Sequence, residues 1–572
     1  MAMERCLPWV CFAPIDSSAH KIFGFPEYLA ALALIVIAWT ISDIRYRFRV
    51  ATAPVPLHQF TFISVLAIGI LTLLTDLWRA ESWLVPRGYL LTPTTWQAIL
   101  GAWFLFTFLS WAWFAFIKPP IFGKRNAQRF GSFIYWKILD GSSSEMAIIG
   151  QELIRSIPSL VDNAPIHVRL YGDTPDKKIP EPTLVQDYAN DILLLMADHR
   201  FCRTLVKSSP GTILGVFQEI NQTKKYGIAI SQFGRNVVQA AIGDLDSFMY
   251  HETEGYSSGL LGYQKPLSQS IFANYDMVDE IDSILDPDYK SIRKWSAIEF
   301  EAYTRAVLIV FRSYVKDRLG QHSFVLHRAF SNIERSSSDL YKLNGSDVGS
   351  WESDTFQRLE TAVNFCCQAI KILDENAAVR EIHLRIREGD PTYYSTIYDE
   401  LARLIFELVF DACSVRKPRD LCWVIQHNTV WHEFFDGFGS NGNAAKIIKF
   451  KVRRKIYDEI ITAAKFPNYK NMKYLGFCLN VLGLETHDGV YGRDSRPLQK
   501  AVLSWTKQNF VSVASQSPQV VEECLPEGLT YDQEHHRIIR TTPTNAFRSE
   551  PEYFYFQLDK PPKSRSRKRS AV

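Results

Sequence analysis

The first 120 residues contain three apolar runs, Ile22 to Ser42, Gln59 to Leu77 and Trp96 to Ile117, and nothing else in the chain limits its fold as strongly. At a rise of about 1.5 Å per residue each run can reach across a hydrocarbon layer of about 30 Å, the first with Glu27 at its interfacial end. The second and third hold no charge before Asp76 and Lys118. Residues 1–120 carry 14 Asp, Glu, Lys or Arg, and residues 121–572 carry the other 111. The first density is about half that of an ordinary soluble protein, and the second matches it. One end of the chain suits lipid and the remainder suits water.

A cleavable secretory leader is the competing explanation of the first run. The segment Met1 to Lys21, however, has only Arg5 and Lys21 as cations, and a small-residue cleavage pattern is poorly represented. Retained anchoring is expected. Lys and Arg are held preferentially on the cytoplasmic side of a membrane. Arg45, Arg47 and Arg49 follow the first run and Lys118, Lys124, Arg125 and Arg129 follow the third, against Arg5, Lys21, Arg79 and Arg87 on the other side. The prediction is an extracytoplasmic amino-terminal segment (1–21), three transmembrane helices (22–42, 59–77 and 96–117) and a cytoplasmic remainder. The compact loops favour a bacterial inner membrane. In the second run Thr61, Ser64, Thr72 and Thr75 fall with Ile68 on one helical face. Such hydroxyls suit a packing face between helices or the wall of an oligomeric pore. No mid-span charge marks an ion route, so packing is the expectation.

Of nine cysteines, seven lie in the region expected to face a reducing cytoplasm and read as small buried hydrophobes. Cys6 and Cys11 are expected outside, where a C-x4-C pair can close a small disulfide loop.

At about 150 residues per domain, a chain of this length makes three to four folding units. From residue 131 the prevailing period is helical. Phe356, Leu359, Val363, Cys366, Ile370 and Leu373 form one apolar seam, and Ile397, Leu401, Leu404 and Leu408 form another. Further helices are predicted at 143–157, capped by Ser144, and at 183–207, 266–285, 322–342, 444–464 and 497–514. Strands are predicted at Ile166 to Tyr171, Tyr226 to Ser231 and Tyr553 to Leu558. The fold class is therefore mostly α: a three-helix amino-terminal transmembrane bundle followed by a large α-rich cytoplasmic region with minor β elements. Its expected divisions are two helical lobes (131–343 and 351–520), an irregular or β segment (521–561) and a disordered basic tail (562–572), with the Gly- and Ser-rich stretch 343–350 between the lobes.

Charge is nearly balanced, with 64 basic against 61 acidic residues and a formal +3, so bulk electrostatics selects no partner. Lys563, Arg565, Arg567, Lys568 and Arg569 crowd the tail, where an anionic inner leaflet would hold them and nucleic acid is the alternative ligand. Lys446, Lys449, Lys451, Arg453 and Arg454 beside an apolar stripe make a second candidate membrane or anion surface. Just before them, Gly437 to Gly442 spells GxGxxG. Its lead-in, Trp431 to Asp436, is not the β-branched strand that a dinucleotide site needs, so a loop between helices is expected. For metal-assisted hydrolysis the candidates are His427, His432, His487 and Asp488. The two histidines at 427 and 432 stand about 140° apart on a regular helix, and no zinc-hydrolase motif is present. No cofactor is predicted. The residues thus point to a multi-pass membrane protein acting as a membrane-tethered cytoplasmic sensor, adaptor or scaffold, with a protein partner or a homo-oligomer as well as the bilayer to bind. A membrane-anchored metal-dependent hydrolase and an oligomeric channel are the alternatives.

Overall fold

The computed structural model describes residues 5–7, 10–14, 21–41, 43–87, 92–166, 182–252, 256–258, 262–264, 267–346, 351–376, 395–436, 442–485, 494–542 and 550–560. The chain is mostly helical with minor sheet. It divides into two compact units, Met1–Ala240 and Ala241–Val572.

The first unit opens with strands β1 (Arg5–Leu7) and β2 (Val10–Pro14). Helices α1 (Phe25–Ile41), α2 (Ile44–Ala51) and α3 (Leu57–Ala80) follow, then β3 (Leu84–Arg87) and α4 (Pro93–Ala112), which continues as a π-helix, Trp113–Ile117. Strand β2 pairs antiparallel with both β1 and β3, so the amino-terminal segment and the α3–α4 connection share one end of the apolar helices. Helix α3 and the continuous run Pro93–Ile117 are long and apolar enough to cross a membrane. Helix α1 is apolar but, at 17 residues, shorter than the run 22–42 from which it was predicted. The cause is local. Asp76 at the far end of α3 accepts the Phe25 N–H at 2.9 Å and Glu27 accepts the Gly24 N–H at 2.9 Å, so the helix starts at Phe25.

Seven helices complete this unit: α5 (Ala127–Asp140), α6 (Ser143–Leu153), α7 (Ile157–Asn163), α8 (Leu184–Met196), α9 (His199–Ser208), α10 (Pro210–Thr223) and α11 (Ser231–Ile242). Ser142, not Ser144, caps α6, in a reciprocal box with Glu145. The single helix expected over 183–207 is broken because the Asp198 carboxylate accepts the N–H groups of Arg200 and Phe201 and so starts α9 afresh. The strand expected at Tyr226 to Ser231 is a turn leading into α11. Lys224, at φ 55°, ends α10 in the left-handed conformation, and the chain reverses there instead of extending. Of the strand expected at Ile166 to Tyr171, only Ile166 lies within the described residues.

The second unit contains α12 (Phe248–His251), the hairpin β4 (Tyr256–Ser258) and β5 (Gly262–Gln264), then α13 (Leu267–Phe272), α14 (Tyr275–Ile281), α15 (Tyr289–Ile292), α16 (Ala297–Asp317), α17 (Phe324–Ser336), α18 (Asp354–Asn376), α19 (Ile397–Ala412) and α20 (Arg419–Trp423). A π-helix spans Val424–Asp436, followed by α21 (Asn443–Thr462), α22 (Tyr469–Val481), α23 (Arg496–Gln516) and α24 (Pro518–Cys524). The predicted seams on α18 and α19 are buried throughout. They are used where α16 packs on α18 and α19 on α21. The helix predicted over 266–285 is two short ones, because Asn274 caps the Met277 N–H and opens α14. Strands β6 (Leu529–Asp532), β7 (Arg537–Thr542) and β8 (Glu552–Gln557) form an antiparallel meander, with β8 where Tyr553 to Leu558 was read as strand.

Candidate functional site

A connected polar cluster in the first unit lies at the end where α1 and α4 finish and α3 begins. Helix α2 crosses this foot with three arginines in eight residues, IRYRFRVA. Residues four apart share a helical face, so Arg45 and Arg49 point together while Arg47 points away. Arg49 is buried and grips Glu152 of α6 through two bonds, Nε to Oε2 and Nη2 to Oε1, each 2.7 Å. Its third nitrogen group donates to the Ala115 carbonyl at 2.9 Å, inside the π-helix that ends α4. Arg45 lies 3.3 Å from the same carboxylate and donates to Gln151. Phe48, also on α2, is buried edge-on against Phe130 and Phe133 of α5, at 5.3 Å from each.

The α2–α3 turn is held from the same side. Asn126 donates to the Thr52 carbonyl at 2.6 Å, and Arg129 donates to the carbonyls of Ala53 and Pro54 at 2.8 Å. Each of these carbonyls lies outside a helical ladder and would otherwise need water. The apolar helices and the helices that follow them therefore form one piece, bolted by a bidentate ion pair and four side-chain to backbone bonds. Sequence reasoning treated Arg45 and Arg49 only as topological cations. Their spacing of four was the available signal.

At the other end of these helices Lys21 pairs with Asp76 at 3.4 Å and the Trp96 indole donates to Thr75 at 3.1 Å. Along α3, Thr61, Ser64 and Thr72 are buried with Ile68 and Gly69, and Thr75 is half-buried. Thr72 and Thr75 donate back to carbonyls of their own helix. The Thr61 hydroxyl is buried without a hydrogen-bond partner among the described residues. Tyr28 of α1 reaches across to the Val65 carbonyl at 2.9 Å, over Gly69. Strand register sets Cys6 directly opposite Cys11 on β1 and β2.

In the second unit the candidates scatter. The π-helix brings His427 and His432 together, contrary to the 140° separation expected on a regular helix, because i→i+5 bonding stacks residues five apart. Their rings lie 6.5 Å apart, and His427 stacks on Trp423 at 4.0 Å. No group of three or more His, Cys, Asp or Glu side chains among the described residues is placed to hold a metal. His487 and Asp488 lie outside the described residues.

The basic cluster on α21 is not one surface. Lys451 is fully buried and pairs with the equally buried Asp399 at 2.6 Å, a correction to its place on an anion-binding face. Only Lys446 is exposed, while Lys449, Arg453 and Arg454 are half-buried. Arg453 lies over the Phe435 ring and Arg454 pairs with Asp458. The helix start behind the GxGxxG run is already filled, since Asp374 of α18 accepts the Ala444 N–H at 2.8 Å. A phosphate placed there would meet a carboxylate. Residues 437–441 of that run, and the tail cations Lys563, Arg565, Arg567, Lys568 and Arg569, lie outside the described residues. In the acidic stretch after α13, Asp276 pairs with Arg318, and Asp282 and Asp286 pair with Arg328.

No protein-family model, curated protein or solved structure matches this chain.

Proposed function

We propose that this chain is a multi-pass membrane scaffold or sensor in which α1, α3 and α4 cross the bilayer, with the amino terminus outside and the helical units in the cytoplasm. The observation that carries it is the buried Arg49–Glu152 pair at the foot of the apolar helices. A flexible tether would need no such bolt. An anchor locked to its helical unit holds that unit at a fixed attitude to the membrane, as presentation to a partner requires. Three further features support the topology. Helix α1, although short, runs between Asp76 at one end of α3 and His58 at the other, and its Trp39 ring lies 5.0 Å from His58. The β1–β2–β3 sheet gathers the amino-terminal segment and the α3–α4 connection on one side. Lys118, Lys124, Arg125 and Arg129 gather on the other. The inward hydroxyl face of α3 favours helix packing over a pore.

The test is topology and extraction together. Single cysteines introduced at exposed Ser82 and exposed Lys124 should react with an impermeant maleimide from opposite faces of sealed vesicles, Ser82 from outside. Alkaline carbonate should leave the protein in the pellet. Labelling of both sites from one side, or release by carbonate, would remove the proposal.

A further inference from the structure

We infer that the foot of the apolar helices holds one anionic phospholipid by its phosphate headgroup. The inference rests on the membrane-crossing proposal. A cavity of about 340 Å³ opens between α1, α2, α3, α4 and α5, with walls that include Trp39, Tyr46, Trp111 and Phe133 and with Arg47 and His58 as its cationic or donor groups. Its position is fixed by the ends of three apolar helices, at the level where headgroups meet acyl chains.

Three observations converge on an anion there. First, Arg45 and Arg49 are both spent on Glu152, whereas Arg47, on the opposite face of α2, is exposed and its guanidinium makes no ion pair or hydrogen bond among the described residues. The acid whose charge Arg47 feels, Glu145, is itself bonded to Lys137 at 2.9 Å. Second, His58 is exposed in the first turn of α3, and no side chain caps that helix, so first-turn N–H groups and the positive helix end sit beside the cavity. Third, the remaining walls are aromatic and apolar. A free inorganic anion gains nothing from such walls, whereas the glycerol and upper acyl segments of a lipid bury against them. A zwitterionic headgroup carries its own cation to Arg47, which selects the anionic class.

The test uses the full chain in detergent, with native mass spectrometry counting lipid retained from equimolar phosphatidylglycerol and phosphatidylcholine. One phosphatidylglycerol should be retained in preference, roughly tenfold more weakly in Arg47→Gln, the loss expected for one charge-assisted hydrogen bond. His58→Gln should weaken it less, and Lys124→Gln, an exposed cation that does not line the cavity, should leave it unchanged. Equal retention of the two lipids, or retention indifferent to Arg47→Gln, would overturn the inference. Displacement of the lipid by millimolar inorganic phosphate would overturn it too, by making the ligand a free anion. Carbonate extraction of the same preparation separates the failures. A carbonate-resistant protein without lipid preference loses only this site, and a carbonate-soluble one loses the membrane proposal as well.

Discussion

Glu152→Gln is the most informative single change in the first unit. Glu152 and Arg49 are each about nine-tenths buried and share two hydrogen bonds of 2.7 Å. The amide keeps the shape and one acceptor but removes the charge, and its NH2 group then faces a guanidinium that has only donors. Breaking a buried pair from one side typically costs about 3–5 kcal/mol, because the surviving charge stays desolvated. Arg45 moderates this little, since its side chain is 39% exposed. For a unit of this size, about 3–5 kcal/mol lowers the unfolding midpoint by on the order of 10 °C. The assay is thermal unfolding in detergent, followed by loss of the monodisperse peak on gel filtration. Protease cleavage at the α2–α3 turn, residues 52–56, provides a local readout. The double variant Arg49→Met with Glu152→Met should recover much of the loss, because a well-packed apolar pair avoids desolvating any charge. A Glu152→Gln midpoint within about 2 °C of the parent, or a double variant no better than the single one, would refute the bolt.

Three other outcomes are expected. A Cβ at Gly69 would lie 2.7 Å from the Tyr28 hydroxyl and 2.8 Å from its ring carbon Cζ, so Gly69→Val should destabilise by about 1–3 kcal/mol in the same melt and Tyr28→Ala should partly restore it. Burial pushes the Asp411 carboxyl up to about 7, the Ser337 hydroxyl bonded to it opposes this, Glu334 and Glu407 add to it, and Lys473 opposes. The folded state therefore keeps this proton longer than the unfolded chain, and stability should fall as pH rises from about 4 to about 7, by on the order of 4 kcal/mol. Asp411→Asn should flatten that stretch of the pH–stability profile, and an unchanged slope would count against it. Opposite positions on an antiparallel pair lie within disulfide reach, so protein from an oxidising compartment should show Cys6 and Cys11 joined on peptide mapping without reductant, and free at both sites after it.

Most of the helices were legible because their apolar faces repeat at the helical period, and the seams on α18 and α19 are buried residue for residue. Boundaries were less so. Asp198, Ser142 and Asn274 each start a helix by accepting a backbone N–H, and a cap competes with the continuing period without leaving a trace in it. The π-helix escaped notice for a related reason: thirteen residues of wider winding change which residues meet, as with His427 and His432, while apolar content stays the same. Lys451 was misplaced because a cation in a basic run looks solvated. Its partner Asp399 is 52 residues away, and only the packing of α19 on α21 brings them together.

The foot of the apolar helices was illegible for a deeper reason. Arg45, Arg47 and Arg49 look alike in sequence and count equally toward orientation, yet helical geometry divides their tasks. Two turn inward to Glu152 and the third is left facing the cavity. Helix α2 thus has one side fixed to α5 and α6 through Phe48 and Arg49, and the other side open to whatever occupies the foot. Anything that pulls on Arg47 acts on a rigid element of eight residues whose opposite face is the bolt. Differential binding there is the free energy a sensor would use, because a ligand can shift a protein between states only by preferring one of them. If the headgroup prefers the bolted form, Glu152→Gln must weaken phosphatidylglycerol retention by the same factor by which the lipid stabilises the bolt, since the coupling between two sites is reciprocal. Measuring both in one preparation would separate a sensor from a passive anchor, in which the two effects are independent.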